Sequence, residues 1–492
     1  MSKFGVDLIY KVSFQFISLL IGLLSLGIVA RSLNPVYYGS FNYLTDFFRR
    51  FQKLIMGGSM TGYFIQLSKK NNGHLILSYH VYLLILLPIV LVLLGLVFSI
   101  GYTEFFFPDQ EVSYILMAAI FVLLTLQGNG LSSTYDALGL TKYFEVIKLI
   151  PLIVSVTCIL ALYSFSKLNL FNYFLLNILS QLGLFIIGTA LLVRLKKFNY
   201  FAYKSNKEGI RKNLKKIFKF SRLLFIYGFF VFITYVLERW LLQNYFGSYE
   251  QGIYGFALKI SSMILLIGAP LSRLFLRESS YRITDLSKFA RYIQKGLILN
   301  LFIGLFLGFF VGIYGLEIIT IIGGSQYFQS HLGLYLLAIS VGINFSILFL
   351  SSLILAEENS LLHMKINLPV ILLFFLFSFI LLTTNTNFLI SGFNILPLKQ
   401  LLMYISNFVI LLFICAKKFN FSFFKYMNYS LLFSLFAFLI GSFSSFLASL
   451  FFEGDFMKLI LGGMIYGVMS LLFLICINNI FRLNISFMNL IK

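Results

Sequence analysis

The sequence predicts an all-α polytopic membrane protein of 14 transmembrane helices, with two six-helix lobes around a central cavity and an additional C-terminal helix pair. Three observations carry this expectation. Of 492 residues, 60% are hydrophobic and only 11% charged, whereas soluble domains carry about a quarter charged residues. The apolar residues fall into runs of about 20 or more, the length that crosses a hydrocarbon core. Basic residues gather in alternate loops. With 60 Phe and 29 Tyr, soluble enzymes, disordered chains and DNA-binding domains are excluded.

The runs follow one another along the chain. The first six predicted spans are 8–30, 37–68, 75–102, 111–138, 144–165 and 171–193. Lys3 and Lys11 precede or open the first, and no A-x-A cleavage site follows it. That pattern reads as a retained span and not a signal peptide. The next six are 218–243, 250–275, 295–322, 330–355, 362–384 and 391–416, and a last pair covers 427–451 and 456–481. Charges interrupt only 37–68 heavily. Cys158, Cys415 and Cys476 lie inside apolar runs, which indicates neither a disulfide framework nor a zinc site.

An even number of crossings puts both termini on one side. With the termini cytoplasmic, 29 of the 38 Lys and Arg lie on the inner side and three on the outer: Arg31, Lys167 and Lys458. Outer loops instead collect acids such as Glu104, Asp109, Glu111, Glu453 and Asp455. This is the positive-inside pattern, and it accounts for nearly all of the formal charge of +21.

Four regions are expected: an N-terminal six-helix lobe over 1–193, a basic cytoplasmic linker over 194–217, a C-terminal lobe over 218–416, and the added pair over 417–492. From 194 to 222, Ile210, Leu214, Ile217 and Phe218 mark one apolar helical face with Arg211, Lys212, Lys215, Lys216 and Lys219 around it. Such a helix suits the surface of an anionic inner leaflet; a solvated linker that only sets topology fits equally. Residues 282–293 repeat the pattern. The halves also echo each other, with Tyr38–Leu44 matching Gln251–Ala257 at the opening of an even-numbered helix of each half. Parallel halves joined by a basic linker suit alternating access.

At these residues the chain resembles a known family. Ile28-Val29-Ala30-Arg31-Ser32-Leu33-Asn34-Pro35-Val36-Tyr37-Tyr38-Gly39 is similar to the ARxLGPxxFG signature that ends the first helix of bacterial polysaccharide flippases. In the second half, Glu238-Arg239-Trp240-Leu241-Leu242, Tyr245-Phe246-Gly247 and Gly252-Ile253-Tyr254 resemble that family's DRxxLGxxxG…vGlYs stretch. Asn34 stands where the family has Gly, and Glu238 where it has Asp. The resemblance places the chain near the multidrug/oligosaccharidyl-lipid/polysaccharide (MOP) exporter superfamily. It implies translocation of an undecaprenyl-pyrophosphate-linked oligosaccharide from the inner to the outer leaflet of the bacterial cytoplasmic membrane, for O-antigen, capsule or a similar polysaccharide. The implied partners are that lipid-linked glycan and the polysaccharide polymerase machinery. The alternatives are a lipid II flippase or a multidrug/cation antiporter of the same superfamily and, from another class, a polytopic glycosyltransferase or polymerase acting on the same carrier.

The candidate site is read from the residues themselves. Asp46, Arg49, Arg50 and Lys53 occupy i, i+3, i+4 and i+7 of the second span and share a face that Asn42 extends. An ionisable side chain at a bilayer centre costs about 2.5–3.5 kcal/mol, so such a stripe faces water or a polar ligand. Lys259 stands 213 positions after Asp46, as Gly252 does after Gly39. The expected anion site is thus Arg49, Arg50, Lys53 and Lys259, whose donors suit the oxygens of a pyrophosphate. Asp46 could instead join its neighbours in a structural ion-pair cluster, and Lys259 could partner Asp46. Asp46, Asp136 and Glu238 are candidate proton or sodium sites, and Glu238 with Arg239 reads as a gate or helix-end pair. No GxxxxGK[ST] occurs, and His74, His80, His331 and His363 fall at no metal-ligand spacing, so no cofactor, metal or enzymatic role is expected.

Overall fold

The computed structural model describes residues 3–56, 59–69, 73–195, 207–265, 286–356, 360–384 and 392–480, and they form helices and short connections without a strand. Linker residues 196–206, the end of the expected span 250–275 and the start of 282–293 lie outside the described residues. Twelve helices among the described residues are long and apolar enough to cross a membrane. Large apolar side chains are exposed along them, as Leu84, Ile85, Ile89, Val92, Leu93 and Leu96 are on one helix. A lipid-facing surface produces this pattern, since hydrocarbon tails solvate apolar groups. The protein is a multi-pass membrane protein.

Two of the twelve are far longer than one crossing. Helix α1 (Lys3–Met56) contributes an apolar stretch of 42 residues and helix α8 (Lys207–Ser262) one of 38. At 1.5 Å per residue these span roughly 60 Å, twice the hydrocarbon thickness. Each contains one residue off helical geometry, Asn34 in α1 (φ 57°) and Gly247 in α8 (φ 81°). Within the expected span 37–68 the chain is helical up to Met56 and again over α2 (Ser59–Lys69), with residues 57–58 outside the described residues. The Ser59 hydroxyl donates to the Met56 carbonyl at 2.9 Å.

The chain forms two compact units, Met1–Gly255 and Phe256–Lys492. In the first, α3 (Gly73–Ser99) is followed by a short α4 (Thr103–Phe106), then α5 (Val112–Ala137), α6 (Thr141–Ser164) and α7 (Leu170–Arg194). Helix α5 is central and packs against α1, α2, α3, α6 and α7. Its buried Ile115, Ala118, Ala119, Val122 and Leu126 recur at helical spacing. Buried polar groups find one another across helices. His80 of α3 lies 3.5 Å from Gln127 and 3.3 Å from Thr134 of α5, and the Tyr63 hydroxyl of α2 lies 2.7 Å from Thr134. Gln127 and His80 therefore act as interhelical ties. Helix α8 starts at Lys207, so basic residues 207–217 belong to one helix with the span that follows. Of their predicted apolar face, Ile217 is buried, Leu214 half-buried and Lys215 exposed.

The second unit continues with α9 (Leu286–Ile313), α10 (Gly315–Ile322), a 3₁₀ turn (Ser325–Ser330), α11 (His331–Ala356) and α12 (Ser360–Thr383). Helices α13 (Gly392–Phe419), α14 (Phe423–Phe451) and α15 (Asp455–Ile480) complete it. Helices α9 and α11 form its centre, where a Cβ on Gly304 would strike the Gly342 carbonyl oxygen and one on Gly342 the Gly304 carbonyl oxygen. Small residues allow the two backbones to meet, and packing of this kind holds helices together where lipid supplies no hydrophobic drive.

Candidate functional site

The site is built on the breaks in α1 and α8. Asn34 has φ 57° and ψ 169°, a backbone region that is nearly exclusive to Gly. Its side-chain oxygen accepts from the backbone N–H of Val36 at 3.0 Å and of Tyr37 at 3.2 Å. Asn34 is thus the N-cap of a new helical rod, with Pro35 at the first position, where a missing N–H costs nothing. The cap offsets part of the strain of a side chain where the motif has Gly. Gly247 makes the corresponding break in α8, 213 positions on (247 − 34).

The two rods that start there meet glycine to backbone. A Cβ on Gly39 would fall on the Ser248 carbonyl oxygen, and one on Gly252 on the Pro35 carbonyl oxygen. Because 248 − 35 and 252 − 39 are both 213, each contact is the image of the other about a local two-fold relation. Gly255 likewise leaves room for the Asn42 side chain. Asn42 itself donates to the Tyr38 carbonyl at 2.8 Å; its predicted place on the charged face is taken up by packing against α8.

A polar closure surrounds this contact. Gln110 and Gln243, both buried, each donate from Nε2 to the Pro108 carbonyl and to the Ser248 hydroxyl, at 3.0–3.3 Å. Two amide groups and two acceptors thereby form a closed ring in which all four N–H bonds are used. Trp240 Nε1 donates to the Phe105 carbonyl at 2.6 Å and the Tyr43 hydroxyl to the Phe106 carbonyl at 3.0 Å. Segment 103–110 is therefore fastened to both α1 and α8.

Arg239, on the part of α8 before Gly247, joins Asp46 of one rod to Gln251 of the other. Arg239 Nη2 donates to Asp46 Oδ2 at 2.6 Å, Arg239 Nη1 donates to Gln251 Oε1 at 2.6 Å, and Gln251 Nε2 returns to the Arg239 carbonyl at 2.6 Å. The Arg239 guanidinium lies 4.6 Å from the Tyr254 ring centroid. From the sequence, Glu238 and Arg239 are expected to form a gate or helix-end pair; Arg239 instead pairs with Asp46, brought from 193 positions away, a partner that spacing along the chain does not reveal. Glu238 is buried beside it on α8.

The remaining cations have a different environment. Arg49 is 3.9 Å from Asp46 with its side chain 40% exposed, and its guanidinium lies 6.0 Å from the Phe121 ring centroid. Arg50 is half-buried, with its guanidinium 4.2 Å from the Tyr235 ring centroid. Lys53 is exposed. Along the rod that starts at Pro35, Asp46 lies about 16 Å and Lys53 about 27 Å from its start at 1.5 Å per residue. Asp136 lies where α5 turns into α6 and accepts from the Thr141 hydroxyl at 2.8 Å. Lys259 is exposed near the end of α8 and belongs to the second unit. Tyr235, Tyr254, Gln251 and the Gln110–Gln243 pair escaped the sequence reading. The only signal for them was the position of Gln251 and Tyr254 inside the repeated segment.

No family model matches the chain. It is 24% identical over 303 residues to the capsular polysaccharide biosynthesis protein CapF of Staphylococcus aureus, covering 56% of this chain and 75% of that protein. Among solved structures it is similar to the lipid II flippase MurJ in an inward closed conformation, with a TM-score of 0.69, 16% identity, and 94% of this chain and 98% of that one covered. It is also similar to the inward-facing conformation of a multidrug resistance MATE family transporter of the MOP superfamily, with a TM-score of 0.60, 11% identity, and 82% and 96% covered. At these identities the likeness is one of fold. The fold is that of membrane flippases and transporters, and neither structural neighbour is an enzyme.

Proposed function

We propose that the protein is a flippase that carries an undecaprenyl-pyrophosphate-linked oligosaccharide from the inner to the outer leaflet of the bacterial cytoplasmic membrane, by alternating access, for surface polysaccharide synthesis. The observation that carries this is the division of labour among the membrane-depth charges. Asp46 is committed to Arg239, while Arg49, Arg50 and Lys53 keep exposed or half-buried cationic groups on one rod. Cations left open at such depth are stable only beside water or an anionic ligand. Arg in particular offers a planar fork that fits phosphate oxygens. The CapF relative and the motif resemblance favour an oligosaccharide cargo.

In this reading Asn34 and Gly247 each end one crossing and begin the next, which gives 14 crossings with both termini cytoplasmic. The stripe lines the substrate path, and Lys259 is a further candidate anion contact. The closure built from Gly39, Gly252 and the Gln110–Gln243 ring shuts the outer side. An inside-negative potential favours outward movement of an anion by about 2.3 kcal/mol per charge per 100 mV, or ~4–5 kcal/mol for a doubly charged pyrophosphate. Lipid II is the second reading, favoured by the extent of the fold match to MurJ.

Replacing Arg49 and Arg50 together by Ala is expected to abolish surface polysaccharide in the native bacterium while leaving the amount of protein in the membrane unchanged. Undiminished polysaccharide at normal protein levels would overturn the anion-site assignment. Loss of surface glycan together with normal peptidoglycan in a null strain separates the oligosaccharide cargo from lipid II.

A further inference from the structure

Two arginines of the first unit rest on tyrosine rings, and they are in opposite states. Arg239 lies 4.6 Å from the Tyr254 centroid, is 6% exposed, and has its fork filled by Asp46 and Gln251. Arg50 lies closer to its ring, 4.2 Å from the Tyr235 centroid, and is half-buried. Among the described residues Arg50 makes no hydrogen bond or ion pair. The same construction thus appears once with the fork occupied and once with it open.

We infer that Tyr235 is a positioning residue that holds Arg50 flat as a bidentate receptor for the phosphate groups of the cargo. The inference rests on the anion-site reading above and adds a residue to it. The Arg50 Cζ lies over the Tyr235 ring at 4.2 Å; a guanidinium stacked parallel at that distance directs its N–H bonds past the ring edge. Phosphate oxygens then meet two parallel donors without the side chain first having to give up its rotamer freedom. Neighbouring Arg49, 6.0 Å from the Phe121 centroid and 3.9 Å from Asp46, is held more loosely and adds charge. The ring comes from α8 and the fork from α1. The receptor therefore exists only while these two rods are packed together.

The test is binding of glycan-free undecaprenyl pyrophosphate to the full-length protein purified in detergent, followed by microscale thermophoresis. Tyr235→Phe keeps the ring and is expected to bind within about twofold of the unmodified protein. Tyr235→Leu removes the platform and is expected to weaken binding roughly tenfold. Arg50→Lys keeps the charge without the plane and should lose a similar factor. The double variant Tyr235→Leu/Arg50→Ala should bind no more weakly than Arg50→Ala, because a platform with nothing on it has no effect. Full affinity in Tyr235→Leu or in Arg50→Lys, with loss in Arg50→Ala, would overturn the positioning role and leave the anion site standing. Losses that simply add in the double variant would overturn it too. Full affinity in Arg50→Ala would remove the anion site itself. If Tyr235→Leu does not fold, Tyr235→Phe and Arg50→Lys still decide the matter from both sides of the contact.

Discussion

Asn34 shows how much one side chain does in this chain. It supplies the turn that ends one rod and the oxygen that caps the next. Asn34→Gly keeps the turn, relieves the strain of a side chain at φ 57°, ψ 169°, and loses the cap at a cost of only a few tenths of a kcal/mol. Asn34→Val loses the cap and leaves a β-branched side chain in that region, at about 1–3 kcal/mol of strain. The expected order of thermal stability in detergent is therefore Asn34→Gly at or above the unmodified protein, and both well above Asn34→Val. Equal melting temperatures for Asn34→Gly and Asn34→Val would show that the turn is not needed. The motif made this position visible in the sequence, since only a backbone requirement explains Gly there. The Arg239–Asp46 pair was invisible, because nothing along the chain links residues 193 positions apart.

At the level of elements, the rods of α1 and α8 are joined by a glycine contact, a buried ion pair and the Gln110–Gln243 ring. The charge pair is the most sensitive of these. Asp46→Asn leaves a buried Arg239 without its anion, and breaking such a pair costs about 3–5 kcal/mol. Asp46→Asn/Arg239→Gln removes both charges and should recover a large part of that loss. Thermal unfolding of the four proteins of this cycle measures the coupling, and purely additive losses would deny that the pair acts as a unit. Helix existence was legible from apolar length alone. Helix breaks were less so: apolar length does not show where a backbone turns, and the turns rest on Asn34 in α1 and Gly247 in α8.

Across the whole molecule, the distribution of basic residues predicts which loops face the cytoplasm. With the native Cys158, Cys415 and Cys476 replaced, single cysteines at positions 109 and 454 should react with a membrane-impermeant maleimide in intact cells. Cysteines at 142 and 418 should react only after permeabilisation. Labelling of both pairs from outside would overturn the 14-crossing topology, including the two reversals proposed at Asn34 and Gly247.

Read alone, the chain specified a multi-pass helical protein, the order of its spans, a repeated pair of helix starts and a cationic stripe on one of them. Those features depend on residue type and spacing, which hydropathy and helical periodicity convert directly into structure. Folding added the partners. It joined Asp46 to Arg239, set Gly39 against Ser248 and Gly252 against Pro35, and laid Arg50 on Tyr235 while leaving its fork open. A charge's partner is chosen by distance in space, and in this protein that choice pairs Arg239 with Asp46 and leaves Arg49 and Lys53 exposed.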